Sequence, residues 1–109
     1  MAKHHFGIMR DDPEPHVRFD VFEPEKYHCI AADDDYIEPL PDRISDFPCF
    51  EHTTGIPAKG LIYCGITLIP PESLPRYMEV FGEEEALQDV VKLMRKAFSQ
   101  NRFVIHYGI

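Results

Sequence analysis

Thiols, imidazoles and carboxylates are the side chains of this sequence best suited to chemistry, and their spacing decides how far each can be taken. Cys49-Phe50-Glu51-His52 sets a thiol three residues from an imidazole. In a turn that imidazole could draw the thiol proton and leave a nucleophile. A nucleophilic cysteine also needs an orienting partner for its base and donors for the developing oxyanion, and here the sequence offers only the base. The competing reading of Cys49 is a small apolar side chain packed between Pro48 and Phe50. Cys64 lies inside an apolar run and reads as packing alone.

Six histidines, His4, His5, His16, His28, His52 and His106, raise the question of a metal. No pair has the spacing that puts two ligands on one helix face, and His28 with Cys29 would point to opposite sides of a strand. No metal and no cofactor is therefore assigned. His106, between Ile105 and Tyr107, reads as a hydrogen-bonded sheet residue, although it and His28 could also approach a ligand from the sheet. Gly55 to Gly60 has the outer glycines of a phosphate loop with Lys59 beside them. Its lysine precedes the second glycine and a strand follows instead of a helix, so it is not a phosphate loop. Lys59 stays as a candidate contact for a small anion. Asp33-Asp34-Asp35 has the charge of a calcium loop without its alternation or its glycine.

Charge is distributed unevenly. The net charge is −8 over 109 residues, and residues 1–54 hold 13 acids against 5 basic side chains, whereas the remainder holds 6 of each. An acidic surface opposes binding to a phosphate backbone, so nucleic acid is not an expected partner. Arg76, Lys92, Arg95, Lys96 and Arg102 fall in the later half, where they could gather on a helix layer. Opposite signs on two faces suit self-association as a homodimer or docking of a protein partner. No apolar run approaches the ~20 residues of a membrane-spanning helix, so no membrane role is expected. Three cysteines at wide spacing fit free thiols in a cytoplasmic protein.

These residues have to be positioned by a scaffold. His4 to Met9 reads as a strand with Phe6 and Ile8 on one face. Val17, Phe19 and Val21 alternate with Arg18 and Asp20, which predicts a second strand, and Tyr27 to Ala32 would pair with it as a hairpin. Residues 33–58 read as irregular apart from a turn near Asp42–Phe47, and so long a loop marks a place to seek a site. Leu61 to Ile69 predicts a central strand. A helix capped by Ser73 follows, with Leu74, Tyr77, Met78 and Phe81 buried. A second helix runs from about Glu84 to Gln100, with Leu87, Val90, Val91, Met94 and Phe98 as its apolar stripe. Phe103 to Tyr107 closes the chain as a strand.

Two helices in succession return the chain antiparallel to the strand it left. The fold class is α+β: a mostly antiparallel sheet of about five strands, in one domain, with both helices of the later half on one face. The functional expectation is a non-catalytic binding, regulatory or accessory protein. The alternative is a small enzyme or small-ligand receptor whose site lies in residues 33–58, built from Cys49, Glu51 and His52, with Lys59, His28 and His106 as further contacts.

Overall fold

The last strand of the chain lies in the interior of the sheet, and the rest is laid down on either side of it. A computed structural model describes residues 2–109. Its six strands are β1 (Lys3–Ile8), β2 (Ile30–Asp33), β3 (Pro48–Glu51), β4 (Pro57–Lys59), β5 (Ile66–Ile69) and β6 (Val104–Tyr107). They form one sheet in the order β2-β1-β6-β5-β3-β4, and every pairing is antiparallel. Strand β6 pairs with β1 through Phe6 opposite His106, and with β5 through Thr67 opposite the same histidine. The α+β class and the antiparallel return expected from the two helices are both observed.

Both longer helices cover one face. Helix α2 (Leu74–Phe81) buries Leu74, Tyr77, Val80 and Phe81, and α3 (Gln88–Ser99) buries Val90, Val91, Met94 and Ala97. They pack on Phe6, Ile69 and Val104 of the sheet. A fully buried aliphatic or aromatic side chain contributes about 1.5–3 kcal/mol, so this layer supplies most of the apolar stabilisation. A short helix α1 (Asp34–Ile37) and a turn at Pro41–Arg43 close the same core with Ile37, Leu40 and Ile44.

Several local expectations are corrected. Residues 17–22 are not a strand: Val21 and Phe22 are 65 % and 56 % exposed, and β2 pairs with β1 instead. Pro13, Pro15 and Pro24 only flank that segment, whereas β1 is already paired with β6, so β2 adds to an existing sheet. Strand β2 begins at Ile30, so His28 belongs to a turn and Cys29 lies between that turn and the strand. The expected central strand is shorter than Leu61–Ile69, because residues 61–65 turn back on themselves through Gly65 N–H to Ile62 O at 3.1 Å. Cys64 is consequently exposed. Residues 33–58 are not irregular, since they hold α1, β3 and β4. Three- and four-residue strands leave too short a period-two pattern to read. Ser73 makes no side-chain cap, because the turn Pro71–Ser73 already starts the helical path; Phe98 is exposed, with Ala97 occupying the inward position.

The second face of the sheet carries no helix. Ile66, Leu68, Ile105 and Tyr107 are covered there by Met9, Phe19, Tyr27 and Cys29 from the irregular segment of residues 9–29. That strap is tied down by Phe19 N–H to His52 O at 2.8 Å and by Thr53 Oγ1 donating to Pro15 O at 2.8 Å.

At the far end of β6 the loop before β5 comes so close that a Cβ on Gly108 would lie 2.0 Å from the Tyr63 carbonyl oxygen. Gly108→Ala is expected to destabilise the protein by at least about 1–3 kcal/mol, the usual cost of overpacking against backbone. Urea denaturation measures it, and an unchanged midpoint would show that the loop is not held there.

Candidate functional site

The residues singled out for nucleophilic chemistry are not brought together. Cys49 is buried on the helix-facing side of β3, where burial raises its thiol pKa and Tyr77 is its polar neighbour. Glu51 is exposed at the end of that strand. His52 follows in the left-handed region, at φ 61°, and turns to the strap: its Nδ1–H is shared between Phe19 O at 2.9 Å and Asp20 Oδ1 at 3.0 Å. Its Nε2 accepts from Ile66 N–H at 3.3 Å. Both ring nitrogens thus have partners, and neither is the Cys49 thiol. Lys59 is exposed on the edge strand β4.

His106 belongs to a different group. It is fully buried, with Nδ1 2.9 Å from Thr67 Oγ1 and Nε2 2.9 Å from Nδ1 of His4, also fully buried. His4 Nε2 lies 2.8 Å from Asp34 Oδ1, which also accepts from the Tyr63 hydroxyl. Thr67 Oγ1 accepts from Ile62 N–H at 2.9 Å. With both rings neutral, one direction of donation satisfies every atom: Ile62 to Thr67, Thr67 to His106, His106 to His4, and His4 to Asp34. Burial and the neighbouring His4 hold the His106 pKa well below the ordinary histidine value. The hydrogen bonds from Tyr63 and His4 lower the Asp34 pKa, and the carboxylate raises that of Tyr63 to about 12. Chemically this is a closed polar chain, linear rather than convergent. Among the described residues no set of three His, Cys, Asp or Glu side chains has the geometry to hold a metal ion. The surface concavities described here are lined by other residues.

One site with free capacity is a groove of about 440 Å³ between β1, α3 and the turn at Tyr27. Ile8, Leu93 and Tyr27 are its apolar lining, and the cations Arg10, Lys92, Lys96 and Arg102 join them, with His28 and Gln100. Lys92 and Lys96 are one helical turn apart and share a face of α3. Arg10 follows β1, and Arg102 leads into β6. No carboxylate lines the groove, and among the described residues none of these four cations enters an ion pair.

The wall formed by Tyr27 and His28 is set by backbone. His28 has φ 50°, a conformation disfavoured for a side chain with a Cβ. The turn presses on Gly7 of β1, where a Cβ would meet Tyr27 O at 2.8 Å and Cys29 Sγ at 2.7 Å. Of the residues proposed from sequence as ligand contacts, the groove contains His28 and not Lys59 or His106. Of the cations expected to gather on the helices it contains Lys92, Lys96 and Arg102. Arg76 instead pairs with Asp46 and lies over the Phe47 ring, 4.4 Å from its centroid. Arg10 carried no signal in sequence, because only the sheet order brings the end of β1 beside α3.

The chain matches no family model, no curated protein and no solved structure. What it can do has to be argued from the side chains themselves.

Two outcomes follow from this placement. In the native protein Cys64 reacts first with a thiol reagent, Cys29 more slowly, and Cys49 only at the rate of unfolding; mass mapping after timed labelling tests that order, and early labelling at Cys49 would contradict it. The buried neutral His106 also makes stability depend on pH. Its folded pKa is lowered, so below the unfolded value of about 6.5 the unfolded chain binds the extra proton, and stability falls as pH drops from about 7 to 5. His5, lowered by its own burial, adds with the same sign. His106→Gln is expected to flatten that slope in denaturation series, and a slope equal to that of the parent would contradict the assignment.

Proposed function

We propose that this chain is a non-catalytic binding protein, a regulatory or accessory component, that recognises an anionic group in the groove between β1 and α3. The observation that supports this reading is the clustering of four of the eleven Lys and Arg side chains around one concavity with no carboxylate in its lining. The field at the end of α3 accounts for Lys96 by itself, because cations are favoured near a helix C-terminus. It does not account for Arg10, which comes from a different element. Like charges gathered in a lining that holds no carboxylate repel one another, and a bound anion would relieve that repulsion.

The surrounding charge narrows the partner. With a net charge of −8 the molecule as a whole repels a nucleic-acid strand, while the groove attracts an anion at close range. No helix among the described residues is long and apolar enough to cross a membrane. The free state of Cys29, Cys49 and Cys64 supports a cytoplasmic setting. An enzyme built on residues 33–58 would lack a contact between Cys49 and its proposed base.

Calorimetric titration with inorganic pyrophosphate, and separately with a poly-glutamate peptide, tests the reading. At low salt at least one of them binds, and Lys96→Glu or Arg10→Glu weakens it by tenfold or more, about 1.4 kcal/mol. Lys59→Glu, on the distant edge strand, leaves it unchanged. No binding of either probe, or an equal loss in Lys59→Glu, would contradict an anion site in this groove.

A further inference from the structure

We infer that the occupant of the groove is an organic phosphate, a phosphoryl group carried on a flat or apolar body of about nucleoside size. This rests on the anion reading above and adds what kind of anion it is. The first argument is the type and number of the cations. Arg10 and Arg102 offer planar donor forks, which match phosphoryl oxygens in a bidentate manner, and Lys92 and Lys96 add two mobile point charges. Four cations exceed what one carboxylate needs and suit a group carrying two or more negative charges.

The second argument is the apolar lining. Ile8 and Leu93 line the groove and are partly buried, so its middle presents hydrocarbon beneath a charged edge. An inorganic anion would leave that surface wet. A ligand with an apolar body would cover it, and a volume of about 440 Å³ falls in the range of pockets that enclose small organic molecules. Gln100 and His28 supply hydrogen-bonding groups of the kind that orient such a body.

The third argument limits the length of the ligand. A neighbouring concavity shares Arg10, Tyr27 and His28 with the groove, and Asp11, Asp12, Glu14 and Glu25 line it. A long polyanion leaving the groove on that side would pass over four carboxylates. The favourable region is therefore short, enough for one or two phosphoryl groups and not for a strand.

The test compares ADP, 1-naphthyl phosphate, pyrophosphate and adenosine by calorimetry, with sedimentation of the free protein as a parallel measurement. ADP or naphthyl phosphate is expected to bind at least tenfold more tightly than pyrophosphate, and adenosine more weakly than ADP by a similar factor. Leu93→Gln should reduce the preference for the organic phosphates over pyrophosphate by tenfold or more, and an unchanged ratio would overturn the inference; if that variant fails to fold, Ile8→Thr serves the same purpose. Pyrophosphate binding as tightly as both organic phosphates would overturn the inference and leave the anion reading standing. Binding of only the poly-glutamate peptide would also overturn it, as would self-association that Lys96→Glu dissolves, since the groove would then be taken by an acidic protein segment. Failure of every anion would overturn both.

Discussion

A sheet with helices on one face must have its other face covered, and in this chain the cover is a segment with almost no regular structure. Residues 9–29 lie over Ile66, Leu68, Ile105 and Tyr107 and keep that apolar surface from water. Having little ladder of its own, the strap meets its backbone needs elsewhere, at His52, Thr53 and Thr54 of the β3–β4 turn. The same strap carries six of the thirteen acids of residues 1–54, and its two ends deliver Arg10, Tyr27 and His28 to the groove. Covering the sheet and building the site are one arrangement. Gly7 is where the two meet, because its missing side chain lets the Tyr27 turn lie directly on β1.

The helix-covered face solves a different problem. His4, Thr67 and His106 are polar and fully buried, and a buried donor or acceptor left without a partner costs about 1–3 kcal/mol. Adjacent strands β1, β6 and β5 bring the three into one line that ends on Asp34 near the surface. Among the described residues no buried side-chain nitrogen or oxygen lacks a partner. The chain of hydrogen bonds also ties α1, through Asp34, to the sheet. Its value is specificity of register: a one-residue slip of β6 would turn His106 to the strap face and leave His4 and Thr67 facing hydrocarbon.

Where periodicity was long, the sequence could be read. Helix α3 follows Leu87, Val90, Val91 and Met94, and the succession of two helices implied the antiparallel pairing of β5 with β6. Short elements and long-range pairings could not be read in the same way. The alternation Val17, Phe19, Val21 resembles a strand locally, yet β2 pairs with β1, which is already held in the sheet by β6. Residues 33–58 concealed β3 and β4, since four and three residues carry no detectable period. The groove was legible in part: Lys92, Lys96 and Arg102 stood out as a basic set and His28 as a contact. Arg10, Ile8 and Tyr27 join them only through the sheet order, a property of pairing between distant segments. Cys49 with His52 shows the opposite failure, in which neighbours in sequence are separated by the strand between them.

The central claim is that the cationic groove, and no other surface, is where this protein holds its ligand. The most direct measurement is a two-dimensional amide and side-chain NMR titration of the full chain with an organic phosphate such as ADP. Saturating shifts confined to Ile8, Arg10, Tyr27, His28, Leu93, Lys96 and Arg102 are the predicted result. Shifts centred on the surface around His5, His52 and Cys64, or no saturating shifts at all, would contradict it.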